Sequence, residues 1–215
     1  MTDRLIPFTG LMMSALLDGR KTQTRRVLRH QPAEPCDFAG FYEVPGSGLL
    51  QCRLQGESTL LSQAVGYATG DRLWVREAFS GPHGCRNLPP RDWPVGCPIW
   101  RWADGNPTEG DWTKPKPPMF MPRWVSRLTL VVTEVRVEHL QDISEDDARA
   151  EGMAVTWSGN MAEGPSKFAD ENFAELWDSL NAKRGYGWDT NPWVVAITFT
   201  VHQSNIDAMT EREAA

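Results

Sequence analysis

Proline is concentrated in one stretch of the chain, and this concentration limits the fold more than any other feature of the sequence. Residues 80–122 hold ten of the 16 prolines and four of the 10 tryptophans of this 215-residue chain. Proline removes a backbone donor, interrupts helices and is confined to the edges of sheets, so long helices and interior strands are excluded here. The tryptophans supply apolar surface for an ordered insertion. We therefore expect the regular elements to lie on either side of it.

A second insertion is expected at residues 31–65, which are rich in Gly, Pro and Ser and show no clear periodicity. Alternating or β-branched runs predict four strands, at residues 4–9, 70–79, 127–140 and 192–201. Capping signals and helical periodicity predict three helices, at residues 11–17, 144–152 and 172–181. Residues 202–215 are mostly polar, and we expect a flexible tail there.

These elements predict an α+β fold, in which a small, largely antiparallel β-barrel carries flanking helices and the two long irregular insertions. With 40% hydrophobic and 23% charged residues, the chain can bury a substantial core. No internal repeat or linker divides the sequence, so residues 1–201 are interpreted as a single domain.

The charge and the cysteines narrow the functional classes. With 28 acidic residues against 22 Lys and Arg, the net charge is −6, which argues against broad binding to duplex DNA. No segment reaches the roughly 18 apolar residues that a spanning helix needs, so we expect a cytoplasmic protein with no membrane partner. The four cysteines form no CxxC pair, so reduced thiols are favoured over a zinc site, and no metal or other cofactor is expected.

A basic segment stands out in this acidic chain, at residues 18–26, DGRKTQTRR. We interpret it as a basic loop that follows the first helix. Lys21 lies among three arginines, whose charges favour a neutral lysine, the form that a lysine general base requires. Thr24 follows three residues later, and a hydroxyl beside a neutral amine makes a nucleophile and base pair. The alternative, which the local sequence favours, is a solvated or phosphate-binding loop whose threonines cap turns.

Glu151 is an unfavourable residue for the helix position at which it is predicted to lie. It ends the predicted helix at residues 144–152, where the helix dipole disfavours a carboxylate and a basic residue would be stabilising. Departures of this kind are commoner at functional sites, so Glu151 is a candidate acid. The alternative is a solvated glutamate at the frayed end of an acidic helix.

The order of these features resembles the ASCH domain, a family with a PUA-like β-barrel. The resemblance rests on GRKTxTxR at residues 19–26, on GDxLxV at residues 70–75 and on AxxEG at residues 148–152. It covers roughly half of the chain, and the two predicted insertions have no counterpart in the minimal enzymes. The basic motif is especially similar to that of small bacterial amidohydrolases that remove acyl groups from N4-acetylcytidine. The whole sequence also resembles ASCH proteins carried by phages and prophages.

This resemblance implies an amidohydrolase acting on N4-acylated cytidine or cytosine. It places the catalytic lysine, threonine and glutamate at Lys21, Thr24 and Glu151, and it matches the motif's arginine with Arg26. The expected partner is a modified nucleoside or nucleobase. Arg25 stands where the small enzymes have an apolar residue, so it is a second candidate for binding substrate. Three tryptophans are candidates for stacking on a base, although a core role is favoured for each: Trp74, Trp124 and Trp188.

Two further functions are compatible with the same residues. An RNA-binding module or ribonuclease of the ASCH superfamily would bring the basic segment and Arg29 to the phosphates of single-stranded RNA. A phage accessory protein would bind a host partner through the Pro- and Trp-rich residues 93–124. We choose the enzyme, because Lys21, Thr24 and Glu151 occur in the order that the resemblance requires.

Overall fold

The computed structural model describes residues 2–29, 31, 38–44, 49–54, 60–156 and 166–209. Its strands are β1 (Asp3–Pro7), β2 (Gln23–Val27), β3 (Phe38–Val44), β4 (Leu49–Leu54), β5 (Leu60–Ala64), β6 (Arg72–Arg76), β7 (Phe79–Ser80), β8 (Trp100–Arg101), β9 (Thr129–His139) and β10 (Trp193–His202). Its α-helices are α1 (Gly10–Leu17), α2 (Glu145–Ala150) and α3 (Ala169–Asn181). This content confirms the α+β class, and the described strands form no closed barrel.

The chain folds into two compact units, a division that the single-domain prediction did not contain. The first unit consists of Met1–Gly19, Gly70–Val131 and Thr200–Ala215. The second unit consists of Arg20–Thr69 and Val132–Phe199. Strands β9 and β10 contribute residues to both units.

In the first unit, the strand order is β1-β6-β9. Strand β1 runs parallel to β6, with Leu5 opposite Trp74, and β6 runs antiparallel to the start of β9, with Leu73 opposite Leu130. Helix α1 ends as predicted, because Gly19 adopts a φ of 72° that favours glycine. Within the described part of the chain, no helix has the length and apolar character that crossing a membrane requires.

The proline-rich residues 80–122 are ordered without long helices, as predicted. They contain short 3-10 turns and strand β8, which pairs with β7. A buried cluster of Phe79, Trp93, Met121 and Val125 holds this segment together. Aromatic burial therefore stabilises a segment whose prolines prevent extended secondary structure.

In the second unit, the strand order is β9-β10-β2, and β2 runs antiparallel to β10. Helix α2 begins at the predicted cap, where the Asp147 N–H donates to Ser144 Oγ at 3.1 Å. Helices α2 and α3 pack around a core that contains Leu140, Ala148, Phe173, Trp177 and Val194. This core fixes the end of α2, which carries Glu151.

The prediction of an irregular insertion at residues 31–65 is wrong. Strands β3, β4 and β5 form a three-stranded antiparallel sheet there. The strands are five to seven residues long and are separated by short connections rich in Gly, Pro and Ser, so composition averaged over the whole stretch hides them. Part of the predicted insertion, at residues 32–37, 45–48 and 55–59, lies outside the described residues.

Two smaller predictions are also corrected. The basic segment was predicted to be a loop, but Gln23–Val27 forms strand β2, which pairs with β10 from Val27–Val194 to Gln23–Thr198. The tail was predicted to be flexible, but Ile206 is 1% exposed. Asn205 Nδ2 also donates to the backbone oxygens of Arg123 and Ser126. Residues 210–215 of that tail lie outside the described residues.

Gly81 generates a prediction about the proline-rich segment. A Cβ at this position would lie 2.3 Å from a ring carbon of the buried Trp93, so Gly81→Ala forces the indole or the backbone to shift. We expect a loss of about 1–3 kcal/mol in the free energy of unfolding, measured by urea denaturation with tryptophan fluorescence. Gly84→Ala is the control, since a Cβ there has nothing within 4 Å. Equal midpoints for both variants would contradict the close approach of Gly81 to Trp93.

Candidate functional site

Backbone pairing brings the start of the basic segment to the end of α2. Lys21 forms an antiparallel bridge with Glu151, and the Thr22 N–H donates to the Ala150 oxygen at 2.8 Å. The Phe199 N–H, on β10, donates to the Thr22 oxygen at 2.9 Å. Main-chain pairing alone therefore holds residues 21 and 151 next to each other.

The side chains of Lys21 and Glu151 form a buried ion pair. Lys21 Nζ donates to Glu151 Oε2 at 2.6 Å and to the Glu151 backbone oxygen at 2.8 Å. Lys21 is 0% exposed and Glu151 is 2% exposed. Two of the three residues predicted to be catalytic are therefore in direct contact, at a distance over which a proton can pass between them.

Burial changes the acid–base properties of Lys21. Loss of solvation lowers the pKa of the Lys21 ammonium below its ordinary value, and the Glu151 carboxylate opposes this effect. The charges of Arg26 and Arg25 lower this pKa further. The sequence predicted the contribution of the arginines, but the larger cause is burial.

Arg25 is the centre of a larger network of hydrogen bonds, and it is 4% exposed. Its Nε and Nη2 both donate to Glu138 Oε1, at 2.9 and 2.6 Å. Its Nη2 also donates to Asp147 Oδ2 at 2.9 Å. Its Nη1 donates to Gln23 Oε1 at 2.5 Å and to Glu151 Oε1 at 3.4 Å. One guanidinium thus joins β2 to β9 and to α2.

Asp147 lies one helical turn before Glu151 and accepts from three side chains: Arg25, Arg136 and Gln23. Partial burial raises the pKa of the Asp147 carboxyl, but these partners together lower it below the ordinary value. Asp147 therefore stays ionised and holds the guanidinium of Arg25 in place.

Thr24 and Arg26 lie on β2 with a different orientation from Arg25. Successive side chains of a strand point to opposite faces, so Thr24 and Arg26 share one face and Arg25 the other. Thr24 is 2% exposed, and its Cα pairs with that of Ile197. Although Arg25 and Arg26 lie on opposite faces of β2, the charges of both lower the pKa of Lys21.

Each of the three candidate tryptophans packs against neighbours within its own unit. Trp74 and Trp124 belong to the first unit, whereas Lys21 and Glu151 belong to the second. The Arg76 guanidinium covers the Trp74 ring at 4.4 Å, and Trp124 packs against the aromatic cluster around Trp93. Trp188, in the second unit, packs against its core. Trp74 is buried, whereas Trp124 and Trp188 are partly buried.

Sequence reasoning missed the acidic partners of Arg25. Glu138 and Asp147 were placed correctly on a strand and on a helix, but they were not assigned to the site. A signal was present, because Glu134, Arg136 and Glu138 alternate along the predicted strand and so share one face. Acidic and basic side chains that alternate on one face of a strand indicate that this face packs against residues that carry both charges.

The structure thus defines a mixed α+β protein with a buried Lys–Glu–Arg cluster in its second unit. The chain matches no protein-family model, no curated protein and no solved structure. Among the described residues, no three His, Cys, Asp or Glu side chains are grouped as ligands for a metal ion. Resemblance to the ASCH family remains an expectation that rests on the motif residues.

The buried ion pair generates a prediction about stability. Lys21→Met leaves the Glu151 carboxylate buried without its main counterion, so we expect a loss of about 3–5 kcal/mol in the free energy of unfolding. In the double variant Lys21→Met/Glu151→Gln, that uncompensated charge is gone, so the loss should be smaller than the sum of the two single losses. A double-mutant cycle in urea measures this coupling. Strictly additive losses would show that the two charges do not interact.

Asp147 generates a prediction about pH. Its pKa is lower in the folded chain than in the unfolded one, so its contribution to stability is present above the ordinary aspartate pKa, about 4, and is lost as the pH falls through the lowered value. The destabilisation caused by Asp147→Asn should therefore be largest near neutral pH and shrink on acidification. Asp146→Asn is the control, because its exposed carboxylate on the same helix bonds Arg149. A pH-independent difference for Asp147→Asn would contradict this assignment.

Proposed function

We propose that this protein is an amidohydrolase that removes acyl groups from N4-acylated cytidine or cytosine derivatives, within a PUA-like ASCH fold. The observation that carries the proposal is the 2.6 Å contact between Lys21 Nζ and Glu151 Oε2. These two residues are 130 positions apart in the sequence. The motif resemblance requires both in one site, and a site of this kind needs a base joined to an acid.

Lys21 is the general base of the first step. Its lowered pKa increases the fraction of neutral amine that can accept the proton of the Thr24 hydroxyl. The Thr24 oxygen then forms a bond to the acyl carbon, and the bond from that carbon to the N4 atom breaks. The proton taken from Thr24 passes from Lys21 to Glu151 and reaches the departing cytosine amine. An acyl-threonine and an unmodified cytosine remain.

Water completes the reaction. Glu151 or Lys21 takes a proton from a water molecule while the water oxygen bonds to the acyl carbon. The bond between the acyl carbon and the Thr24 oxygen then breaks, and the threonine recovers a proton. The products are a carboxylic acid and the threonine in its original state. Arg26, whose charge reaches both Lys21 and Glu151, is suited to stabilise the negative oxygen that develops on the carbonyl.

Burial adds a requirement for movement. Lys21, Thr24 and Glu151 are each no more than 2% exposed in this conformation. A substrate therefore reaches them only when the surrounding chain opens. Such opening followed by closure excludes water from the acyl intermediate until the amine has left.

The RNA-binding alternative is less well supported by this geometry. Lys21 and Arg25 are buried and bind carboxylates of the same chain, so they do not present their charges to phosphates. A phosphate-binding surface needs accessible cations. The contacts of these two residues favour the enzyme.

The test is hydrolysis of N4-acetylcytidine, followed by chromatography of the released cytidine. We expect turnover by the wild type and a decrease of about 100-fold or more for each of Lys21→Met, Thr24→Val and Glu151→Gln, because each removes a group that transfers a proton or attacks. Thr22→Val is the matched control, since Thr22 is an exposed threonine two positions from Thr24. It should retain wild-type activity.

Folding of each variant is checked by circular dichroism and by its unfolding midpoint, so that lost activity is not mistaken for lost structure. The substrate series includes longer acyl chains and the free N4-acetylcytosine base. A wild type that hydrolyses none of these compounds, or a Thr24→Val variant as active as Thr22→Val, would overturn the proposal.

A further inference from the structure

The guanidinium of Arg25 is fully occupied by protein acceptors. A guanidinium has five N–H donors, and those of Arg25 point to Glu138 twice, to Gln23, to Asp147 and to Glu151. Arg25 therefore has no donor left for a phosphate or carboxylate of a substrate. This occupancy argues against the sequence-based assignment of Arg25 to substrate binding.

The two oxygens of Glu151 are divided between two cations. Oε1 accepts from Arg25 Nη1 at 3.4 Å, and Oε2 accepts from Lys21 Nζ at 2.6 Å. A carboxylate held at both oxygens cannot rotate about its terminal bond without losing one partner. Arg25 is in turn fixed by Glu138 on β9 and by Asp147 on α2, so the restraint on Glu151 comes from two further elements.

We propose that Arg25 is a positioning residue of the active site, which holds Glu151 Oε1 so that Oε2 remains directed at Lys21. This inference rests on the proposed function for its catalytic meaning. In the cluster, Lys21, Arg25 and Arg136 face Glu138, Asp147 and Glu151, and Arg26 adds a further positive charge near Lys21 and Glu151. Arg25 also competes with Lys21 for the negative charge of Glu151, which makes it easier for Lys21 to lose a proton.

The test compares Arg25→Gln with Arg136→Gln. Arg136 is the matched control, because its guanidinium binds Asp147 at 3.0 Å and lies 3.6 Å from Glu138 while making no contact with Glu151. For Arg25→Gln we expect kcat to fall by about 10- to 100-fold while KM changes little, since the loss is one of alignment and not of substrate contacts. Loss of the positive charge of Arg25 should also raise the pKa of Lys21, because protonated Lys21 is no longer repelled by it. The acid limb of the kcat–pH profile should therefore move to higher pH.

Arg25→Lys distinguishes the effect of the positive charge from the effect of the hydrogen-bond geometry. It also replaces Arg25→Gln in the comparison if Arg25→Gln does not fold. An ammonium keeps the charge, but its three donors cannot reach all four acceptor side chains. We expect Arg25→Lys to lower kcat while leaving the pH limb close to that of the wild type. A kcat and a pH limb that are the same in the Arg25 variants as in Arg136→Gln would overturn the inference.

A second measurement does not depend on activity. The titration of Lys21 is followed by NMR of its side chain in the wild type, Arg25→Gln and Arg136→Gln. A Lys21 pKa that rises in Arg25→Gln and stays close to the wild-type value in Arg136→Gln supports the inference, and equal values in all three overturn it. A wild type without hydrolase activity would remove the proposed function, whereas this titration would still decide whether Arg25 controls the Lys21–Glu151 pair.

Discussion

The contact between Lys21 and Glu151 is the interaction around which the buried charges of the second unit are arranged. It joins the residues before β2 to the residue that ends α2, and it is reinforced by main-chain pairing of Thr22 with Ala150. Removing two charges from water is costly, so such a pair persists only where hydrogen bonds and neighbouring charges compensate it. The second donation by Lys21 Nζ to the Glu151 backbone oxygen and the contact of Arg25 with Oε1 supply this compensation.

Two of the cations at residues 20–26, Lys21 and Arg25, are explained by the carboxylates that face them. In an acidic chain, Lys21 and Arg25 are the counterions of Glu138, Asp147 and Glu151, which come from β9 and from α2 and its end. Lys21 and Arg25 are therefore interior groups of a folded network. A solvated basic surface would have repelled its own charges and attracted external anions, whereas this cluster is close to neutral and closed to them.

The sequence predicted the elements of regular periodicity well and the long-range contacts less well. Strand β9, helix α2 with its Ser144 cap and the glycine stop at Gly19 follow from local rules, and the structure has them. The conformation of residues 23–27 depends on pairing with β10, about 170 residues away, so no local rule identified β2. Lys21 and Glu151 were selected by motif, but the engagement of Arg25 with Glu138 required the fold to be known.

The division of Glu151 between two cations decides what the cluster can do chemically. Had Glu151 faced Lys21 alone, the carboxylate would have stabilised the ammonium and kept the lysine protonated. Arg25 and Arg26 reduce that stabilisation, and burial penalises the ammonium, so the pKa of Lys21 lies below its ordinary value and the lysine loses its proton more readily. A lysine that can give its proton to an adjacent glutamate is suited to take one from a hydroxyl, and the glutamate can then deliver it to a leaving amine. The same charges that join β2 to β9 and to α2 therefore influence the proton transfer that the proposed reaction needs.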